Sequence, residues 1–404
     1  MRGGSSWLWP LVLAAVLTQT GLNLFRPVTS YKLLDLGAAP ALIGVVTAAY
    51  AILPLVIALP LGRLTDRTLR LRHIMGAGAL LLAAGGALQA ATESIAFVFA
   101  ANAVLGLGHL LFTIAGQTAI ARFSPPEALD RGFGYFTAAF SAGQLLGPLL
   151  AGAVLGRQAH ADQIALALWL GAGAALLAVP LLAAAGRARG RGEEATTPGA
   201  ADAREAATDT AGAVRPTALG VLGRPGVGSQ IFASLTLLVM IDVLTAYLPL
   251  VAEQAGVAPA VVGVLLAGRS IASIASRMLL PPLTRRFDRS RLVSVSTLGA
   301  GVALVFPPLL IGSPWAAGAL MVLGGFLLGL GQPLTMSLIT QAVPASWRGT
   351  ALATRLMGNR LGQVAFPAAA GLLAAPLGAA GPIWFSCGML VLSGAEMSVR
   401  RRPR

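Results

Sequence analysis

The chain has 404 residues, of which 56% are hydrophobic and 11% charged, with a net charge of +14 and a mean hydropathy of +0.78. A soluble domain of this size carries roughly a quarter charged residues, so an ordinary soluble enzyme is excluded and a polytopic membrane protein is expected. The basic excess does not read as a nucleic-acid surface, because the arginines sit in short loops between apolar runs. Backbone in lipid must satisfy its own hydrogen bonds, so the spans are expected to be helices; the alternating ten-residue segments of a membrane barrel are not seen. Cys387 is the sole cysteine and the three histidines, His73, His109 and His160, are scattered, so neither a disulfide framework nor a cysteine or histidine metal cluster is expected.

In chain order, Arg2 and the apolar run from Trp7 look like a signal peptide at first sight. No small-residue cleavage site with a polar mature start follows, and the run is read as the first span. Twelve apolar runs of about 20 residues follow one another, over 7–28, 41–62, 73–91, 95–121, 134–155, 164–185, 228–250, 260–281, 292–311, 317–340, 351–375 and 380–398. Nearly all basic residues fall on one side of this arrangement, with Arg26, Lys32 and Arg157 on the other, so the positive-inside bias puts both termini in the cytoplasm. Residues 186–227, rich in Ala, Gly, Thr, Arg, Asp and Glu, read as a flexible cytoplasmic linker. The expected organisation is a six-helix bundle over 1–185, this linker, and a second six-helix bundle over 228–404.

The two halves repeat. Leu36-Gly37-Ala38-Ala39-Pro40 aligns with Ala255-Gly256-Val257-Ala258-Pro259, and Gly44 with Gly263. The same register sets Gly62–Arg67 against Pro281–Arg286. Two similar bundles around a central site are what alternating access requires.

The loop Gly62-Arg63-Leu64-Thr65-Asp66-Arg67-Thr68-Leu69-Arg70, wedged between two membrane-length runs, carries the most specific signal. It resembles the signature loop between the second and third helices of the major facilitator superfamily, G-x-L-x-D-R-x-G-R, with Leu69 where a second glycine is usual. In the fifth span, Gly143, Gly147, Pro148 and Gly152 resemble that superfamily's antiporter motif, G-x-x-x-G-P-x-x-x-G. The resemblance, closest to the twelve-helix drug/proton antiporter group, covers the chain outside the linker. It implies an all-α membrane fold of twelve helices in two pseudo-symmetric bundles. It further implies a cytoplasmic gate made by Gly62, Asp66, Arg67 and Arg70, with Arg131 as local partner, and a central cavity lined by spans one, four, seven and ten. Glycines four apart flatten a helix face and Pro148 permits a bend, so the fifth span is expected to form a seam between the halves. A generic close-packed helix pair is the alternative.

Charges inside a membrane are costly and face a cavity or a partner. Asp242, roughly 12 Å from the outer end of the seventh span, is the one acid placed in the deep core, and Arg269 lies at similar depth in the eighth span, roughly 14 Å in. Two readings stay open: Asp242 carries a coupling proton, or Asp242 and Arg269 form a structural salt bridge. Arg360 is also deep, and the excess of deep arginine over acid suggests a negatively charged substrate; arginines donating to carbonyls at helix ends would account for it equally. Gln19, Asn23, Arg26 and Ser30 recur at helical spacing on the first span, and Asn102, His109, Thr113 and Gln117 form a stripe on the fourth. Both stripes are expected to face the cavity, with Arg26 either there or snorkelling to the outer surface. Asn102 stands where the family pattern has arginine, which puts ordinary drug/proton coupling in question, and His109 is a second coupling candidate.

The expected function is proton-coupled efflux of a small amphipathic or drug-like molecule by a transporter in the bacterial cytoplasmic membrane. The alternatives are an importer or facilitator of a small anionic metabolite, and, from another class, a polytopic membrane enzyme or a channel. Expected partners are the small-molecule substrate, protons and the lipid bilayer, with no nucleic acid, no cofactor and no metal. A monomer is expected, and no Gly-rich phosphate loop supports ATP-driven transport.

Overall fold

The structure is a computed structural model that describes residues 7–68, 70–124, 129–190, 217–344 and 347–399. The expected linker lies largely outside the described residues. Twelve long helices carry the fold: α1 (Leu8–Asp35), α2 (Pro40–Arg67), α3 (Leu71–Ala91), α4 (Ile95–Phe123), α5 (Leu129–Leu155), α6 (Ala161–Gly190), α7 (Val227–Gln254), α8 (Pro259–Met278), α9 (Arg289–Val305), α10 (Pro314–Gln341), α11 (Arg348–Leu377) and α12 (Gly381–Val399). Two short helices, Ala218–Leu222 and Leu280–Arg286, precede α7 and follow α8. Ten of the long helices are long and apolar enough to cross a membrane; α9 has 17 residues, and α11 carries Arg348, Arg355, Asn359, Arg360 and Gln363. A 28-residue helix such as α1 or α7 is roughly 42 Å long, more than a hydrocarbon core needs.

Several expected boundaries move: the first span, expected to end at 28, continues as helix to Asp35, and the second, fifth and sixth are each about five residues longer at one end. The ninth span, expected to 311, leaves the helix after Val305. Pro307 and Pro308 follow, each without an N–H to donate, and residues 307–312 form turns.

The starts of α1 and α7 and the end of α12 lie at one face, termed terminal here; Ser229 at the start of α7 bonds Glu396 near the end of α12 at 2.8 Å. At the opposite, distal face the repeat is visible atom by atom. Gly37 and Gly256 both take left-handed backbone, with φ of 69° and 67°. In each turn two amides reach back to close the helix end: Ala38 to Leu33 and Gly37 to Leu34, then Val257 to Ala252 and Gly256 to Glu253. This is the Schellman stop, and Pro40 and Pro259 then start the next helix at a position where no N–H is needed.

The helix pairings repeat as well. In the first half α1 packs on α5 and α6, α3 on α4 and α6, and α2 on α4. Adding six to each number gives the pairings of the second half. The lateral contacts between halves, α2 with α11 and α5 with α8, exchange under the same rule.

The two faces differ. At the distal face Leu33, Ile43, Val46 and Val98 of the first half share one apolar core with Val243, Tyr247 and Leu250 of the second. Tyr247 donates to the Pro40 carbonyl at 3.3 Å, and the Ala260 amide to the Gly156 carbonyl at 3.0 Å. Towards the terminal face the cores are separate. Leu11, Met75, Phe112 and Ile120 belong to the first half alone, and Val227, Ile231, Ile339 and Val343 to the second alone.

Candidate functional site

Asp242 sits near the middle of α7, 6% exposed, where the halves meet. Arg26 of α1 reaches across the seam and its Nη1 donates to Asp242 Oδ1 at 2.8 Å. The other carboxylate oxygen, Oδ2, accepts from Gln363 Nε2 of α11 at 2.7 Å, and Gln363 Oε1 accepts from Arg360 Nη1 at 2.9 Å. The Arg26 guanidinium lies over the Tyr50 ring of α2, 4.7 Å from its centre. The Tyr50 hydroxyl is hydrogen-bonded to His109 Nδ1 of α4. The His109 ring stacks on Tyr50 at 6.0 Å and leans on Phe140 of α5 at 5.9 Å. Six helices thus contribute to one connected array, and the Arg26–Asp242 bond is its link between the halves. A pocket opens on this array, with Arg26, Ser30, Tyr50, Asn102, Asp242 and Gln363 in its wall.

A buried ion pair contributes little net stability, yet removing one partner costs about 3–5 kcal/mol, because the other charge is left unpaired in a poorly solvated place. A bond of this kind across a movable interface resists separation of the halves until something replaces one of its charges.

The expected pairing of Asp242 with Arg269 does not form. Arg269 is 4% exposed, its Nη2 bonds its neighbour Ser270 at 3.1 Å, and its Nε has no partner. Depth along a helix fixes a residue's level but not the face it occupies, and Arg26 holds the closer face. Arg269 remains within electrostatic reach of both Arg26 and Asp242.

Gln19 and Asn23 also depart from expectation: neither lines the pocket. Gly143 and Gly147 of α5 lie against them so closely that a Cβ on Gly147 would come within 2.7 Å of Asn23. Asn23 turns back to the Gln19 carbonyl at 2.8 Å. Two of the motif glycines are therefore used inside the first half. Gly152 and the Pro148 carbonyl meet Ala260 and Gly263 of α8 at the seam, and Pro367 and Gly371 meet Gly44 of α2 in the matching place. On α4, Asn102 joins the pocket wall, Thr113 Oγ1 is buried without a partner and Gln117 is exposed.

The loop after α2 is braced by a residue the sequence did not single out for it. Arg122, at the end of α4, donates to the Thr68 carbonyl at 2.7 Å and the Thr65 carbonyl at 3.1 Å. Arg70 is exposed and a Cβ on Gly62 would meet nothing. The side chains of Asp66, Arg67 and Arg131 lie outside the described residues. Tyr50 and Gln363 were also missed as site residues. The available signals were the pairing of Thr47 with Tyr50 one turn apart, and of Arg355, Asn359 and Gln363 at four-residue spacing on α11. Arg355, 5% exposed, bonds Gln332 Oε1 at 2.6 Å, and Gln332 donates to the Ser234 carbonyl at 2.8 Å.

Three solved transporter structures share this arrangement. A bacterial homologue of the human lysosomal transporter Spinster, in an inward-facing and occupied conformation, superposes with a TM-score of 0.75 at 14% identity, over 100% of this chain and 97% of that one. A POT family transporter in complex with 5-aminolevulinic acid gives 0.74 at 13% identity, over 97% and 95%. A D-xylose–proton symporter gives 0.72 at 17% identity, over 97% of each chain. At these identities the likeness is one of fold. No curated protein sequence matches the chain. The sequence does match the family profile described as Major Facilitator Superfamily, over residues 11–257 and again over 230–404. With twelve helices, a repeated pairing and a profile match along nearly its whole length, the chain belongs to the Major Facilitator Superfamily and is a membrane transporter, not an enzyme.

Proposed function

We propose that this transporter is proton-coupled, with Asp242 as the proton carrier, and that it moves a small amphipathic molecule by alternating access. Its terminal face, with both chain ends, lies in the bacterial cytoplasm. The observation that carries the reading is the Arg26–Asp242 bond across the seam. A proton on Asp242 removes the charge that holds Arg26, so the protonated and ionised forms favour different separations of the halves. The shared distal core supports the view that this conformation is closed to the outside. Export was expected from the α5 motif. Since Gly143 and Gly147 pack against α1, the motif says less about direction than its pattern suggested, and direction is better sought in the coupling itself.

The test is proton flux into vesicles containing the purified protein, under a pH gradient and with varied amphiphiles. The expected result is a substrate-evoked flux that falls at least tenfold in Asp242→Asn. Equal flux in that variant would sink the role given to Asp242.

A further inference from the structure

The central array holds more positive charge than it neutralises. Asp242 is faced by Arg26 from α1, by Arg269 from α8 and, through Gln363, by Arg360 from α11. The titratable Tyr50 of α2 lies under Arg26, and His109 of α4 stands behind Tyr50, within electrostatic reach of Arg26 and Arg360. Asp242 thus bonds one guanidinium, is linked to a second through Gln363 and lies within electrostatic reach of a third, and that third, Arg269, is 4% exposed and keeps an unpartnered Nε. Uncompensated charge inside a membrane protein is retained where it meets an ion or a substrate. One side of the pocket wall is apolar, made by Leu33, Ala246 and the ring of Tyr50, which is backed by His109 and, behind it, Phe140.

We propose that the substrate is an organic carboxylate with an apolar or aromatic body, and that its carboxylate replaces that of Asp242 on Arg26. The body lies against Leu33, Ala246 and the Tyr50 ring of the pocket wall. The exchange balances simply. A proton from the water of the open face binds a carboxylate oxygen of Asp242, the Arg26 Nη1–H bond to Oδ1 breaks, and the same N–H then donates to the ligand carboxylate. The proton leaves to water when the ligand does. Proton and anion therefore favour each other's binding and travel in the same direction. This deepens the proton-coupled reading and rests on it for the direction of travel; the anion site itself does not.

The experiment is calorimetric titration of the purified full-length protein with three size-matched probes: phenylacetate, 2-phenylethanol and 2-phenylethylamine. Phenylacetate is expected to bind, at least tenfold more tightly than either of the others. Asp242→Asn, which removes the competing internal carboxylate while keeping its shape, is expected to tighten phenylacetate about tenfold at neutral pH. Arg360→Gln is expected to weaken it at least fivefold, and gives a second reading should either variant be poorly folded. A merely structural Asp242–Arg26 bond would not predict tighter binding on its loss. Preference for the amine, no preference, no binding of phenylacetate, or unchanged or weaker phenylacetate binding in Asp242→Asn would each overturn the proposal. Binding is read without transport. Failure of the vesicle test would leave an anion site standing, and failure of phenylacetate to bind would leave the proton role of Asp242 standing.

Discussion

The two halves use the same helix pairings to different ends, and the contrast is sharpest between α1 on α5 and α7 on α11. In the first half Gly143 and Gly147 bring α5 onto the backbone of α1, and Asn23 is folded into that contact. In the second half the repeat register puts Asp242 at the position of Asn23, and Phe366 at that of Gly147. A phenyl ring cannot lie on the neighbouring backbone as a glycine does. Here α7 and α11 are instead joined by the Gln363–Asp242 hydrogen bond, and the acid faces the pocket. One copy of the repeat is closed into packing and the other is kept open for a charge. A polar residue on the inner helix of a bundle thus becomes a site only where its neighbour stays at a distance.

The largest effect that would break this contrast is at the link between the copies. Arg26→Gln is expected to destabilise the protein by about 3–5 kcal/mol, since it strands Asp242. The double variant Arg26→Gln, Asp242→Asn is expected to recover most of that loss. Thermal unfolding of the purified variants in detergent reads both, and a double variant no more stable than the single one would mean that the pair is not coupled. A smaller effect sharpens the comparison between copies. A Cβ on Gly143 would meet backbone atoms of Gln19 and Thr20, with the Thr20 nitrogen 2.8 Å away, whereas on its counterpart Gly362 the three nearest atoms all belong to the movable side chain of Leu235. Gly143→Ala should therefore cost about 1–3 kcal/mol and Gly362→Ala under about 1 kcal/mol, by the same measurement. Equal costs would show that the first half is no more tightly closed than the second. The smallest effect is Tyr50→Phe, which keeps the ring under Arg26 but removes the partner of His109. A loss of about 0.5–1.5 kcal/mol is expected, with phenylacetate binding changed by less than threefold; a larger change in binding would assign the hydroxyl a direct part in the site.

What the sequence made legible was local or periodic. The Gly37-to-Pro40 and Gly256-to-Pro259 stretches could be matched as a repeat, and the structure makes both the same helix stop and restart. Hydropathy likewise yields the long helices and their two-bundle fold. The level of Asp242 was readable from its distance to the helix end, but its partner was not. Arg269 and Arg26 lie at comparable depth, and the choice depends on which helix faces point at each other across 216 residues of chain. Asn23 misled for the same reason: its alignment with Asp242 is real, but Gly147 covers it from a different helix. Arg122 was counted only as a charge that orients the chain, because a bond from a side chain to a loop carbonyl leaves no trace in composition.

The shared distal core has a thermodynamic consequence. Any state that opens the distal face must bring Leu33, Ile43 and Val46 out of contact with Val243, Tyr247 and Leu250 and into water. Exposure of apolar surface raises heat capacity. The equilibrium between the two accessible states should therefore follow a curved van't Hoff plot, with the hydrophobic closure of the distal side weakening on cooling. The temperature dependence of transport then reports the opening of this core as well as the exchange of charges beneath it.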